Sequence, residues 1–254
     1  MKRQQIRRLL IIISLVLFPV TLYYFSPALI IQGALDGIIV GSFIVFSAML
    51  VLSIFFGRFF CGYLCPAGGL QGCISQVNSK PAKQGFRNYI KFIIWAIWIA
   101  GIIVCFIFRK NTITLNIFYQ TEYGISVTDI YGYVIYYGIV VLILVPALIM
   151  GRRAFCHYFC WMAPFMIIGS KIGRLLHIKR LELSVDKDKC TNCKACDKAC
   201  PMGLNVSQKV KTEKIYDDEC ILCGECVDKC PKKAITFKFL NRKKKSEQKS
   251  KEKE

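Results

Sequence analysis

The sequence predicts an α-helical membrane domain with four transmembrane helices, arranged as two parallel two-helix repeats, followed by a small C-terminal α+β domain. Three observations support this fold class. Long apolar blocks fill the chain up to about Leu176, whereas the remainder is polar and basic. A short cysteine motif follows the second and the fourth block, and a longer four-cysteine run occurs twice near the C-terminus. We expect a membrane domain over residues 1–180, a compact domain over 181–240 and a basic, disordered tail over 241–254.

The composition argues against a nucleic-acid-binding protein and against a disulfide-rich secreted protein. The chain has 254 residues, of which 54% are hydrophobic, with a net charge of +19 and 14 cysteines. Lys and Arg collect in the cytoplasmic loops of membrane proteins, and this explains the charge more simply than a nucleic-acid partner does. No basic–aromatic nucleic-acid module occurs, so no nucleic-acid partner is expected. The cysteines fall in repeated ligand runs rather than in a disulfide framework, which indicates a reducing compartment.

Four apolar blocks are long enough to cross the membrane, which takes about 20 apolar residues each. They are Leu9–Ile31, Ile38–Phe56, Tyr89–Phe108 and Tyr131–Met150. The first follows the basic segment Met1–Arg8 and no A-x-A-like cleavage site succeeds it, so we expect a retained anchor rather than a signal peptide. Ser26–Pro27 is expected to break its outer end, because the residue before proline disfavours a helix.

The distribution of basic residues predicts the orientation. The N-terminus, the loop after the second block and the segment after the fourth block all carry Lys and Arg, whereas Asn111–Thr128 carries neither. With four spans these basic segments share one side, which the positive-inside rule assigns to the cytoplasm. We therefore expect a multi-pass protein of the cell (cytoplasmic) membrane with both termini cytoplasmic. Trp161–Arg180 is expected to form a helix that lies in the membrane interface.

The two long cysteine runs are spaced C-x2-C-x2-C-x3-C and each is followed by proline. This is the bacterial two-cluster ferredoxin pattern, in which the fourth cysteine of each run binds the other cluster. One [4Fe–4S] cluster is then held by Cys190, Cys193, Cys196 and Cys230. The second is held by Cys220, Cys223, Cys226 and Cys200. The alternative, a zinc ribbon, gives no reason for two identical runs that both end in Cys-Pro.

A second pair of motifs follows the second and fourth apolar blocks. Each has Gly-Arg, an aromatic residue and then C-x-Tyr-x-C, with the cysteines Cys61, Cys65, Cys156 and Cys160. This internal repeat implies a pseudo-two-fold axis along the membrane normal, which would bring the two pairs together. Four thiolates there could hold a third iron–sulfur cluster, whereas reduced structural thiols or a disulfide are the alternatives. His157 is either an alternative ligand or, more simply, a surface or second-sphere histidine.

The stretch from Gly57 to Gly68, its second copy and the C-terminal double run together resemble the NapH-type membrane-bound [4Fe–4S] ferredoxins, to which modules of NosR and CcoG are related. The resemblance covers nearly the whole chain. It implies electron transfer between the quinone pool, or a cytoplasmic donor, and a partner redox protein. One departure is that Trp161 follows Cys160, where the family usually has proline.

The expected function is that of a membrane-anchored iron–sulfur electron-transfer protein. It would relay electrons between its ferredoxin domain and the quinone pool or an extracytoplasmic redox partner subunit that carries a flavin or metal. As a subunit of a membrane oxidoreductase, with quinol dehydrogenase as the candidate activity, it needs no catalytic side chain of its own. Two [4Fe–4S] clusters are the expected cofactors, with a third iron–sulfur cluster and quinone as further candidates. A redox sensor or a metal-reducing assembly factor is the alternative.

Overall fold

The computed structural model of the protein describes residues 2–75, 77–108, 114–213 and 216–240. The predicted tail over 241–254 and part of the predicted outer loop lie outside these residues. The described helices are α1 (Arg3–Val16), α2 (Phe18–Thr21), α3 (Pro27–Asp36), α4 (Gly41–Phe56), α5 (Phe59–Tyr63), α6 (Pro66–Ile74), α7 (Ile90–Phe108), α8 (Ile130–Met150), α9 (Ala154–Tyr158), α10 (Ala163–Leu175), α11 (Ala195–Ala199), α12 (Val206–Lys211) and α13 (Glu225–Asp228). The described strands are β1 (Ile38–Val40), β2 (Thr114–Asn116), β3 (Arg180–Val185) and β4 (Ile235–Leu240).

Two of the described helices are long and apolar enough to cross a membrane. They are Phe86–Cys105, which combines a 3₁₀ turn with most of α7, and Ile130–Met150, which is α8. Only 11% of each apolar window is buried within the protein. Both lie where the third and fourth spans are predicted, because nothing in these apolar blocks interrupts the helix. Pro146 lies inside α8 without ending it.

The first two predicted spans differ from the helices that form. The expectation of one continuous helix over Leu9–Ile31 is wrong, since α1 ends at Val16 and α3 begins only at Pro27. The break at Ser26 is the expected one, as this residue is extended (φ −86°, ψ 122°) before proline. A further break follows Val16, where Pro19 enters the first turn of α2 and cannot donate a backbone hydrogen bond. In the second block, β1 precedes a helix α4 of 16 residues.

The chain divides into two compact units. The first contains residues 1–8, 50–63 and 165–254, and the second contains 9–49 and 64–164. The unit with the long cysteine runs therefore includes three segments that the sequence assigns to the membrane domain. The predicted boundary between residues 180 and 181 falls at the first residue of β3.

In the second unit, a loop holds the segment that carries the second C-x3-C motif. The Arg152 backbone N–H donates to the Lys80 carbonyl over 2.8 Å, and the Tyr158 hydroxyl donates to the Lys83 carbonyl over 2.7 Å. Gly151 permits this approach, since its φ is +107° and a Cβ would lie 2.6 Å from the Lys80 oxygen. The motif is thereby fixed to the loop that follows α6.

In the first unit, β3 and β4 form an antiparallel pair in register from Arg180↔Leu240 to Val185↔Ile235. This pair joins the two ends of the segment that holds both long cysteine runs. The runs lie in loops that lead into α11 and α13, each preceded by a residue in the left-handed region. The result is the small α+β domain that the sequence predicts.

Helix α10, within the predicted interfacial segment, packs closely on the C-terminal half of α4. A Cβ at Gly169 would overlap the Ser53 hydroxyl and the Leu50 carbonyl, and a Cβ at Gly173 would overlap the Ile54 carbonyl. Glycines four residues apart lie on one helix face and let two backbones approach. One face of α10 is therefore buried against α4, a contact that the sequence does not predict.

We expect Gly169→Ala to lower the free energy of unfolding by about 1–3 kcal/mol, since its methyl group forces α10 away from α4. The midpoint of thermal unfolding in detergent is the measurement. Gly138→Ala on α8 is the matched control, because nothing lies within 4 Å of the added methyl group and alanine favours helix over glycine. Equal midpoints for the two variants would contradict this packing.

Candidate functional site

Both predicted ferredoxin ligand sets line cavities in the first unit. One cavity is lined by the sulfur-bearing residues Cys190, Cys193, Cys196 and Cys230. The other is lined by Cys200, Cys220, Cys223 and Cys226. In each cavity three cysteines of one run meet the fourth cysteine of the other run. We name these the first and the second cysteine cavity.

The backbone of the two runs repeats with the same conformation. Positive φ occurs 2, 4 and 13 residues after the first cysteine of each run, at Asn192 (55°), Lys194 (56°), Gly203 (63°), Leu222 (51°), Gly224 (77°) and Lys233 (50°). Residues in this region next to right-handed ones turn successive backbone N–H groups toward a common centre, which favours an anion. The Ala234 N–H, directly after Lys233, lies 3.3 Å from the Cys230 sulfur. The loops thus suit a sulfur-rich, negatively charged group.

Burial controls the protonation of several of these thiols. Burial raises the pKa of Cys196 to about 11 and that of Cys220 to about 12. It also raises the pKa of Cys226, with neighbouring cysteines adding to the effect. A bound metal offsets this cost because it deprotonates the thiols that coordinate it. Among the described residues, no three Cys, His, Asp or Glu side chains are placed to hold a single metal ion.

The two cavities differ in their exposure. In the first cavity Cys193 is exposed and Cys190 is half-buried, whereas Cys223 and Cys226 of the second cavity are buried. The start of α1 binds the loop of the second cavity, since the Gln4 amide donates to the Cys223 carbonyl over 3.2 Å. Solvent therefore reaches the first set of ligands more readily than the second.

Basic residues at the start of the chain pair with carboxylates around the second cavity. Arg7 forms an ion pair with Glu225, and Arg3 lies 3.3 Å from Asp228. Arg3 also lies over the ring of Phe237 on β4, 4.9 Å from its centroid. These pairs hold the start of α1 on the ferredoxin fold, a contact that the sequence does not predict.

The first C-x3-C motif begins in a segment that packs on the second cavity. Arg58 donates to the Asp218 carbonyl over 3.0 Å and to the Glu219 carboxylate over 2.9 Å, with the side chains only 2% and 8% exposed. The Tyr63 hydroxyl lies 3.4 Å from the Cys223 carbonyl. The segment from Arg58 to Tyr63, which contains Cys61, therefore touches the loop that supplies two ligands of the second cavity.

Gly62 makes this contact feasible. A Cβ there would overlap the Ile221 carbonyl oxygen and would lie 3.4 Å from the Cys223 backbone nitrogen. At the matching position of the second motif the chain has His157, which is fully buried. Burial excludes the surface alternative for His157, and a second-sphere or ligand role stays a prediction. The difference between Gly62 and His157 is visible in the sequence and is the signal that could have distinguished the two motifs.

The charged groups before Cys220 also bind α10. Arg174 lies 3.3 Å from the Asp218 carboxylate and stacks on Tyr216. Burial and the neighbouring Arg180 guanidinium lower the pKa of Arg174 to about 10, against the effect of Asp218. The loop that leads into the second run is thus held by arginines from two separate parts of the chain.

The four C-x3-C cysteines are all buried, with 3–5% exposure. Cys61 belongs to the first unit and its sulfur lies 3.7 Å from that of Met166. Cys65, Cys156 and Cys160 belong to the second unit. The Gln71 amide donates to the Cys156 sulfur over 3.1 Å. A common metal site for all four stays a prediction.

The residue that replaces proline after the second motif has its own contacts. The Trp161 indole N–H donates to the Phe25 carbonyl over 3.0 Å. Its ring meets that of Phe155 edge to face at 5.5 Å. Trp161 therefore anchors the motif in the second unit where a proline would begin a helix.

Two domain families match the chain. A 4Fe-4S dicluster domain matches residues 189–235, and a 4Fe-4S binding domain matches twice, at 38–83 and 132–179. The second family contains both copies of the C-x3-C motif, in agreement with the internal repeat. No solved structure matches the chain significantly.

Three relatives cover most of the chain. An uncharacterized protein of Methanocaldococcus jannaschii is 28% identical over 77% of this chain and 78% of its own length. The relative named putative electron transport protein YccM, of Escherichia coli, is 22% identical over 80% of this chain and 57% of its own length. The ferredoxin-type protein NapH of Haemophilus influenzae is 24% identical over 73% of this chain and 63% of its own length. These matches confirm the expected resemblance and the two [4Fe–4S] clusters as cofactors.

Removing single ligands tests how they are shared between the clusters. We expect Cys193→Ala and Cys230→Ala to alter the same electron paramagnetic resonance signal of the reduced protein, because both line the first cavity. Cys200→Ala should instead alter the signal that Cys223→Ala alters. If Cys230→Ala behaved like Cys223→Ala, each run would hold its own cluster and the shared arrangement would be wrong.

Removing Arg58 should be far costlier than removing a surface lysine. We expect Arg58→Met to destabilise the protein by about 3–5 kcal/mol, because it leaves the Glu219 carboxylate buried without its cation. Arg58→Met/Glu219→Met should recover part of this loss. Chemical denaturation followed by iron–sulfur absorbance is the measurement.

The control is Lys171→Met, since Lys171 is 57% exposed and pairs with Asp218 at the surface. A surface pair contributes about 0–1 kcal/mol. Equal losses for Arg58→Met and Lys171→Met would show that the buried pair does not hold the segment.

Proposed function

We propose that this chain, an iron–sulfur electron-transfer protein homologous to NapH and YccM, is anchored in the cell membrane and relays electrons between its ferredoxin domain and the membrane. The acceptor or donor there is the quinone pool or an extracytoplasmic redox partner subunit. The observation that carries the proposal is the contact of the Cys61 segment with the loop of the second cavity. That contact links the ferredoxin ligands directly to the part of the chain that follows α4.

Membrane anchoring is supported by the surfaces of α7 and α8. The core helix of a soluble protein would be mostly buried, but only 11% of each apolar window is buried here. Large apolar side chains lie exposed along both helices, among them Ile97 at 70% and Ile149 at 77%. Contiguous apolar surface of this extent needs lipid or a partner protein to cover it. We infer that lipid covers it and that α1, α3 and α4 complete a four-span anchor.

Contacts within the first unit support the proposed orientation. Gln4 and Arg7 bind carboxylates of the ferredoxin fold, which supports an arrangement with the N-terminus and the C-terminal domain on one side of the membrane. An even number of crossings between them satisfies this condition. The excess of Lys and Arg in the segments on that side supports its assignment to the cytoplasm.

The side chains around the two cavities have separate tasks in the proposed relay. Each bound [4Fe–4S] cluster supplies a one-electron carrier. The exposed Cys193 gives a soluble redox partner access to the first cavity. The start of α1 and the Arg58–Tyr63 segment bind the loop that supplies Cys220 and Cys223 to the second cavity. Because this segment contains Cys61, we propose that the second cavity exchanges electrons with the C-x3-C cysteines.

We propose that Cys61, Cys65, Cys156 and Cys160 hold a third iron–sulfur cluster that continues this path. The matching motifs and the repeated 4Fe-4S binding domain over both copies support it. Arg153, 3.9 Å from the Cys156 sulfur, and Gln71 supply polar hydrogens of the kind that stabilise a thiolate. The alternative role of these thiols is structural.

Iron content and reduction by quinol test the relay together. We expect anaerobically purified protein to contain more than about eight irons, since two cubanes account for about eight, and a quinol analogue to reduce it in proteoliposomes. Cys61→Ser/Cys160→Ser should lose the additional iron and the reduction by quinol.

The control is Cys73→Ser/Cys105→Ser, which removes two cysteines outside the motifs and should retain both properties. Iron at the level of two cubanes in every variant would remove the third site. Absence of reduction by quinol in the wild-type protein, with no transfer to an added acceptor, would favour a sensor or assembly factor over a relay.

A further inference from the structure

Lysines surround the first cysteine cavity. Three of them, Lys189, Lys194 and Lys232, line it, and no Asp or Glu is among its lining residues. Lys187 and Lys233 are their near neighbours in the chain and are exposed. We name the five residues Lys187, Lys189, Lys194, Lys232 and Lys233 the lysine rim.

The charge of the lysine rim is only weakly offset. Asp186 pairs with Lys189 at 2.6 Å, but both side chains are well exposed, and such surface pairs contribute about 0–1 kcal/mol. Asp188 lies in the same stretch of the chain, and the Asp197 carboxylate lies 4.0 Å from the Cys196 sulfur. Five lysines therefore face three aspartates, and the surface keeps a positive potential.

Around the second cavity, in contrast, the charged side chains pair with one another. Its lining lysine, Lys209, pairs with its lining carboxylate, Asp217. The neighbouring Glu219 and Glu225 pair with arginines of this same chain. Charges around the second cavity are thus used to hold the protein together, whereas those of the lysine rim stay available to a partner.

The lysine rim also surrounds the more accessible ligand set. Cys193, between Lys189 and Lys194, is exposed, whereas Cys200, Cys223 and Cys226 of the second cavity are buried. A redox partner that approaches from solvent therefore meets the first cavity across the rim. Electron transfer between proteins needs close approach of the two cofactors, so whatever docks on the rim is well placed to exchange electrons.

We propose that the lysine rim is the docking surface for a small acidic electron-carrier protein. This inference rests on the proposed relay and names its soluble partner by charge. In each encounter the carrier loses one electron and the cluster at the first cavity gains one, with no bond made or broken. Complementary charge across such an interface speeds association and orients the partner.

An anionic membrane surface would also attract five lysines, but it fits the site less well. Lipid headgroups on the rim would cover Cys193, while three of the four cysteines of the second cavity, Cys200, Cys223 and Cys226, are already buried. Both sets of ligands would then be closed to any soluble carrier. A protein partner uses the same charges and gains access to the exposed ligand.

The test is binding and reduction by one defined carrier. Oxidised plant-type [2Fe–2S] ferredoxin, an acidic protein, is the probe for binding to the full-length holoprotein in detergent, and its reduced form is the probe for electron transfer. We expect both to weaken between about 0.01 M and 1 M salt, as the Debye length falls from about 30 Å to about 3 Å. Lys194→Glu/Lys232→Glu should reduce the affinity and the association rate about tenfold at low salt.

Lys179→Glu/Lys238→Glu is the matched control, since it makes the same change in net charge at two exposed lysines that do not line the cavity. It should bind the ferredoxin as the wild type does. The basic protein cytochrome c should not show the loss of affinity in the rim variant.

Three results would overturn the inference. Equal affinity of the rim variant and the control would do so, and so would binding that is insensitive to salt. Rim-dependent binding to vesicles of anionic lipid, with no binding of the ferredoxin, would assign the rim to the membrane instead. Methyl viologen separates the two proposals, because this small cationic reductant needs no docking surface. If it reduces the clusters and the ferredoxin does not bind, only the rim is wrong, and if it cannot drive reduction of an acceptor, the relay itself fails.

Discussion

The buried ion pair between Arg58 and Glu219, together with the backbone approach at Gly62, is the constraint on which the site depends. A buried charge pair is costly to break, because removal of one partner leaves the other charge without compensation. The pair therefore fixes the segment that carries Cys61 at one position on the ferredoxin fold. Gly62 then brings the backbones together, because no side chain separates them. The ion pair fixes where the segment lies, and the absence of a side chain at Gly62 allows the segment to approach the Ile221 backbone closely.

This constraint makes the two halves of the ferredoxin fold unequal. Their loops share the same pattern of positive φ and the same shared-ligand arrangement, so the two halves are nearly identical as ligand cages. Their surroundings differ, since the loop of one is contacted by the start of α1 and by the Cys61 segment, whereas the other is edged by exposed lysines. The two cluster-binding halves of this domain are therefore not equivalent, although their loops repeat one conformation.

The sequence was sufficient where the chemistry is local. Ligand spacing follows from the size of a cubane and the turn at each Cys-Pro, so both ligand sets could be written down in advance. The bounds of α7 and α8 agree within a residue because their apolar blocks are uninterrupted. The prediction of one continuous helix for the first block was wrong, because Pro19 lies inside an otherwise apolar run. The apolar composition of this block gives no sign of the break after Val16, and Pro19 is the residue that indicates it.

The sequence was insufficient where distant segments meet. Arg7 and Glu225 are 218 positions apart, and no local pattern connects them. The basic N-terminus was interpreted through membrane topology, and that interpretation accounts for its charge but not for its partner. Gly169 and Gly173 form a recognisable small-residue motif, but the helix that they face could not be named. His157 shows that polarity alone does not predict burial, since the surface was one of its expected positions and the side chain is buried.

The contrast between Gly62 and His157 has an evolutionary consequence. The same 4Fe-4S binding domain matches the chain twice, so the two cysteine motifs are copies of one unit. In the first copy a glycine allows the ferredoxin loop to approach the motif, and in the second a buried histidine stands at the matching position. The two copies have therefore diverged at the residue that decides whether a loop can pack against the motif.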